Sequence, residues 1–176
     1  MPRRILAVCL DFGDTLSDQA TEVRDDAGTL LEIDLIDGAL ELVRELRARG
    51  YRIALVADGR VRDAGNVLAQ HGLDELFDAV VISEEVGAQK PDPSMFRRAL
   101  GELGLGPRDH GRAVMVGNRL ERDVKGAREL GMVAVWIDWS PRYAKRSTEA
   151  AAVPDHVIGH PLELLPLLER LERDSG

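Results

Sequence analysis

The chain has 176 residues, enough for one domain to bury a core without disulfides or a structural metal. Its 23 lysines and arginines stand against 31 acids, a net charge of −8, which argues against an electrostatic grip on nucleic acid or an anionic membrane. The single cysteine, Cys9, excludes an intramolecular disulfide; no apolar stretch reaches membrane-spanning length and no signal-like apolar segment follows Met1, so a cytoplasmic protein is expected.

In chain order, Ile5 to Leu10 is a nearly continuous apolar run, the pattern of a strand buried on both faces of a parallel sheet. Thr21-Glu-Val-Arg and Leu30-Leu-Glu-Ile flank Asp25-Asp-Ala-Gly28, which predicts a β-hairpin with a glycine-bearing turn. Ala39 to Arg49 carries Leu40, Val43 and Leu46 on one helical face and ends at Gly50. A second apolar run, Ile53 to Ala57, precedes a helix over Arg62 to His71 that Gly72 closes. The alternation continues with a strand at Ala79 to Ile82 and a helix at Ser94 to Leu103 after Pro-Asp-Pro. Then come a strand at Ala113 to Val116, a helix at Glu121 to Leu130, a strand at Met132 to Ile137, a weak strand at Val157-Ile158 and a helix at Leu162 to Leu171. Strands alternating with helices at this spacing predict a doubly wound α/β three-layer sandwich with a mainly parallel sheet. The expected organisation is one domain over residues 1–176, in which residues 18–36 form only a small hairpin insertion.

In such folds ligands sit beyond the carboxyl ends of the strands, so those ends carry the functional candidates. The first strand ends at Asp11-Phe-Gly-Asp-Thr-Leu16 and the second at Ala57-Asp58-Gly59. After the third comes Lys90-Pro-Asp-Pro93, a lysine held before two prolines, and the fourth ends at Val116-Gly-Asn118-Arg-Leu-Glu-Arg-Asp123. An aspartate after one strand is most often a turn former, but polar groups at four successive strand ends point to a shared site.

The order and spacing of these four segments resemble the motifs of the haloacid dehalogenase superfamily across nearly the whole chain. The resemblance implies a sheet order 3-2-1-4-5 and a hydrolase in which Asp11 is the nucleophile, forming an aspartyl phosphate that water cleaves. It further implies that Lys90 neutralises the nucleophile and the phosphoryl group, and that Mg²⁺ is held by Asp11, the Gly13 carbonyl, Asn118 and Asp123. The partner it implies is a small phosphorylated substrate. Three positions depart from the family pattern. Gly13 stands where the general acid is usual, with Asp14 one residue later as a candidate replacement. Ala57 takes the substrate-binding position of a hydroxyl donor and loses its hydrogen bond, so Asp58 and the amides of Asp58 and Gly59 are expected to donate or orient beside it, and Asn118 replaces an acid, which weakens the charge offered to a metal.

The missing acid leaves three readings: Asp14 reaches in from a rearranged loop, the substrate has an acyl or aryl leaving group that needs no proton, or hydrolysis is vestigial. Two rival activities also stand, metal-independent carbon–halogen hydrolysis and a non-catalytic binding role. The loop after Trp139 leaves the active-site end of its strand, so Arg142, with Lys145 and Arg146, is expected either to hold an anionic substrate or to meet another subunit. With no large cap, closure of the cleft by a second subunit, a homodimer, is one expectation. Arg119, Arg122 and Lys125 read as an exposed helix face, Glu84-Glu85 as a solvated turn, and Gly101, Gly104 and Gly106 as helix termination rather than a nucleotide loop.

Overall fold

The computed structural model describes residues 4–173 of the chain. Its main sheet has six parallel strands: β1 (Ala7–Leu10), β4 (Arg52–Ala57), β5 (Ala79–Ile82), β6 (Ala113–Gly117), β7 (Val133–Ile137) and β8 (His156–Ile158). They lie in the order β5-β4-β1-β6-β7-β8, which is the expected 3-2-1-4-5 order with the weak sixth strand added at the edge. β1 is therefore central, its Val8 level with Ile53 on one side and Val114 on the other.

Strand alternation divides the core by size. Val8, Leu10, Ile53, Leu55, Val114 and Val116 face α1 (Ala39–Ala48) and α6 (Leu164–Arg173), which bury Leu42, Val43 and Leu46, and Leu164, Leu167 and Leu168. The opposite face presents smaller side chains, Ala7, Cys9, Ala54, Ala113 and Ala134, to α4 (Pro93–Glu102), which brings in the bulk of Met95, Phe96 and Leu100. Small strand residues against large helix residues keep the layer filled at close spacing. Among the described residues, no helix is long and apolar enough to cross a membrane.

The expected hairpin forms from β2 (Val23–Arg24) and β3 (Leu30–Glu32), turned at Asp25, whose carboxylate accepts from the Ala27 and Thr29 amides. It docks on α2 (Val61–His71) through a small apolar cluster of Leu30, Ile33 and Val67, with Phe12 packed against it. α2 also supplies polar side chains to the hairpin backbone: Asp63 accepts from the Leu30 amide, Asn66 donates to the Leu30 carbonyl and Gln70 accepts from the Ile33 amide. These positions, near one helical face, satisfy an edge that would otherwise be bare.

Three local expectations change. Glu84-Glu85 lies in a one-turn helix, α3 (Ser83–Val86), that runs directly out of β5. The helix expected from Glu121 opens as a π-helical turn over Leu120–Val124 before α5 (Lys125–Glu129), because the Arg119 carbonyl accepts from the amides of Arg122, Asp123 and Val124. The last helix likewise starts with a 3₁₀ turn, Pro161–Glu163.

Candidate active site

The Asp11 amide donates to the Val116 carbonyl at 2.9 Å, so the backbone is still tied to β6 where its side chain leaves the sheet. One carboxylate oxygen accepts from Thr15 at 3.2 Å and the other from Lys90 Nζ at 2.7 Å. Lys90 is only 4 % exposed, and its ammonium also donates to the Val56 carbonyl at 2.8 Å and lies 2.6 Å from Asp123 Oδ1. That last contact is ionic rather than an aligned hydrogen bond, since Oδ1 has no hydrogen-bond donor. Asp123 reaches this position because Gly117 has no side chain: a Cβ there would stand 2.2 Å from the Asp123 carboxyl carbon. The other Asp123 oxygen accepts from the Arg119 amide at 3.0 Å, which closes the π turn.

The row Asp11, Lys90, Asp123 carries two carboxylates on one ammonium. Burial alone would push the Lys90 pKa down, but the charges of Asp11, Asp123 and Asp58 outweigh it and hold the ammonium well above its ordinary range. Asp123 moves upward, to about 6, because burial and the adjacent Asp11 charge outweigh the attraction of Lys90.

The donor set fits a hard divalent cation. The Asn118 amide oxygen faces Asp11 Oδ2 and the Gly13 carbonyl; a half-turn of the amide would instead let its nitrogen donate to them over 3.0 and 3.3 Å. With the oxygen inward, three oxygens come together, the ligand type that Mg²⁺ takes, and Asp123, whose Oδ1 has no hydrogen-bond donor, lines the same cleft. Among the described residues no group of three or more His, Cys, Asp or Glu side chains forms a metal cage, so such a site depends on the amide and the carbonyl.

Eight of the ten residues expected at the site line one cleft: Asp11, Gly13, Ala57, Asp58, Gly59, Lys90, Asn118 and Asp123. Two of them face it in different roles from those expected. Asp58 accepts from the Lys90 amide at 2.9 Å and pairs with Arg122 at 3.1 Å, so it holds the lysine loop; the Gly59 amide is taken by Ser83 Oγ at 2.9 Å.

The remaining two are corrected outright. Asp14 has no exposed surface, and its carboxylate accepts from Arg142 at 2.9 and 2.8 Å and from the Gln19 amide at 3.1 Å. Burial would raise its pKa, but hydrogen bonds from Arg142, Gln19 and Ser140 outweigh it and lower the value, so Asp14 is a fixed carboxylate with no proton to give. Arg142 is consumed by Asp14 and by Asp18 at 2.6 Å, and neither Asp14 nor Arg142 lines the cleft. The pair ties the loop after β7 to the turn after β1.

That turn supplies a group the sequence did not disclose. A Cβ on Gly13 would lie 2.7 Å from Gln19 Nε2, so the Gln19 side chain fills the space that a side chain at position 13 would enter. Tyr143 donates its hydroxyl to Gln19 Oε1 at 2.5 Å, and both line the cleft. Arg119 and Arg122 line it too, correcting their reading as an exposed helix face; Lys125 instead pairs with Glu149. The only signal for Arg119 was its place directly after Asn118. Trp136 was also missed; its indole N–H donates to the Asn118 carbonyl at 3.1 Å and fixes that strand end.

A doubly wound sheet with a carboxylate, an ammonium and an oxygen-rich cluster at its switch point defines a class of α/β proteins whose ligands bind beyond the carboxyl ends of the strands. The chain belongs to the haloacid dehalogenase-like hydrolase family, whose model matches residues 7–131. It is 35 % identical to the glyceraldehyde 3-phosphate phosphatase of Pyrococcus furiosus over 141 residues, 80 % of this chain and 56 % of that protein. It is 40 % identical to the phosphoserine phosphatase of Thermus thermophilus over 115 residues, 65 % of this chain and 43 % of that protein. The crystal structure of a HAD phosphatase from Thermococcus onnurineus matches with a TM-score of 0.67 at 32 % identity, covering 77 % of this chain and 59 % of that one. The chain spans about half the length of the curated relatives it matches.

Proposed function

We propose that the chain is a Mg²⁺-dependent phosphohydrolase that works through an aspartyl phosphate on Asp11. The observation that carries this reading is the Lys90 ammonium set between Asp11 and Asp123 at the base of the cleft, 2.7 and 2.6 Å from their oxygens. Phosphatase-named relatives on both sides of the comparison support phosphate release as the reaction. The cleft encloses about 190 Å³, below the roughly 300–1,000 Å³ typical of drug-sized ligand sites, which favours a small phosphorylated metabolite.

In this mechanism an Asp11 oxygen attacks phosphorus as the bond to the leaving oxygen breaks, and Lys90 holds Asp11 in place and offsets the charge on the phosphoryl oxygens. Mg²⁺, held by Asp11, the Gly13 carbonyl, Asn118 and Asp123, would supply the remaining positive charge. Water then attacks phosphorus, Asp11 departs as a carboxylate and both water protons end on the released dihydrogen phosphate. Gln19 stands where an acid would be needed to protonate an alkoxide, and its amide can orient but not donate a proton at neutral pH. The substrate is therefore one whose leaving group departs as a stable anion, an acyl or aryl phosphate. The charged lining, with Arg24, Arg60, Asp58 and Asp63, is unlike the dry apolar pocket that carbon–halogen hydrolysis needs.

Phosphate release from p-nitrophenyl phosphate, acetyl phosphate and glycerol phosphate tests the reading, with Mg²⁺ and with chelator. Turnover of the first two, lost with chelator and in Asp11→Asn, and an alkyl ester slower by about 10² or more are expected. Metal-independent halide release from a haloacid, or no turnover of any phosphate, would overturn it.

A further inference from the structure

The cations of the cleft are paired with acids, with one exception. Arg24 meets Glu22 and Asp63 at 2.9 and 3.2 Å, Arg60 meets Asp63, Arg122 meets Asp58, and Lys90 bridges Asp11 and Asp123. Arg119 has no carboxylate partner among the described residues; its guanidinium lies over the Tyr143 ring, 4.2 Å from the centroid. In a chain with eight more acids than bases, an arginine without an acid in the active-site cleft is not a charge-balancing residue.

Its position is also fixed from both ends. The Arg119 backbone is held by the Asp123 carboxylate through its amide and by three amides on its carbonyl. The ring beneath the guanidinium is held by Gln19, and the loop carrying that ring by the Arg142–Asp14 pair. A guanidinium carbon over an aromatic face uses the ring, not a carboxylate, as its partner, so its N–H groups remain available to a planar carboxylate. Arg119 directly follows Asn118 and lines the same cleft as Asp11, Lys90, Gln19 and Tyr143, so an anion held by its guanidinium would share that cleft with the phosphoryl group.

We propose that Arg119 is a specificity residue that binds a carboxylate carried by the leaving group, so that the substrate is a small phosphorylated carboxylic acid. The inference rests on the phosphohydrolase reading of the same site. A carboxylate rather than a second phosphoryl group suits the small enclosed volume of about 190 Å³.

The test compares phenyl phosphate with 3-carboxyphenyl phosphate, whose leaving groups both depart as phenoxides. The wild type is expected to favour the carboxylated probe by about 10-fold or more in kcat/KM, mainly through KM; tenfold corresponds to about 1.4 kcal/mol. The ratio should fall to about 1 in Arg119→Ala, recover in part in Arg119→Lys, and shrink with added salt. The same comparison is made by calorimetric binding of phenylphosphonate and 3-carboxyphenylphosphonate, which needs no turnover. If no phosphate ester is hydrolysed but the carboxyl preference in binding is present and vanishes in Arg119→Ala, the phosphohydrolase reading fails and the role of Arg119 stands. A wild type with no carboxyl preference in binding, or a preference that survives in a folded Arg119→Ala variant, overturns the proposal.

Discussion

In an Asp14→Asn variant the backbone can keep its left-handed turn, φ 54°, since asparagine tolerates that region, while the charge that holds Arg142 is removed. The amide still offers one oxygen to the Gln19 N–H, but its NH₂ now faces an N–H of the guanidinium, so one charge-assisted bond is lost. Bonds to charged groups contribute about 1.5–3 kcal/mol, and the exposed Arg142 end brings the expectation to the low part of that range, about 2 kcal/mol. At this chain length that lowers Tm by about 4–8 °C. The Asp14 pKa is lowered from its ordinary 3.8, so its stabilisation is fully present above that value and is lost as pH falls through the lower folded value. The gap in Tm between wild type and variant should thus be constant from pH 6 to 8 and close only in acid, read by circular dichroism at each pH. Measured well below Tm, kcat for glycerol phosphate, whose alkoxide needs a proton, should fall by less than about 10-fold, because general acid help is typically worth about 10²–10⁴ and none is being removed. A fall of 100-fold or more at unchanged Tm, with one limb of the pH–rate profile lost, would place Asp14 in the chemistry and refute the strut.

Other perturbations probe the neighbouring parts. Gly117→Ala forces a methyl into the Asp123 carboxyl and should lower kcat/KM by about 10² while costing only about 1–3 kcal/mol in denaturant unfolding. Asn118→Asp adds a charge to the oxygen cluster and should lower the Mg²⁺ concentration for half-maximal activity by about 10-fold; a rise would count against that cluster as the metal site. Burial pushes the Cys9 thiol up to about 12, so a disulfide dye at pH 8 should leave the native chain unlabelled and react at once in guanidinium. Asp11→Asn should abolish phosphate release and any acid-trappable phosphoprotein, seen by intact mass.

The strands were legible because a strand buried on both faces must be apolar along its length, as in Val8-Cys9-Leu10 and Ala54-Leu55-Val56. Asp11, Lys90, Asn118 and Asp123 were legible because strand order alone brings these ends together. Long-range loop docking left no local trace. Nothing in the spacing of Asp14 and Arg142, 128 positions apart, says that they neutralise each other, and that pairing decides that neither enters the cleft. Gln19 was hidden for the same reason, since its role depends on the missing side chain of Gly13. The π turn was hidden because a widened turn and an ordinary helix share one apolar pattern.

The central place of β1 governs when the molecule can take shape. Its strand leaves the ribosome before β6, and Ala7 needs Ala113 as a neighbour, a stretch of about a hundred residues that takes roughly 5–20 s to synthesise. Until then one edge of an apolar strand stays unpaired, a surface that holdase chaperones bind. Production of this chain should therefore respond more to chaperone supply and growth temperature than its final stability alone would indicate.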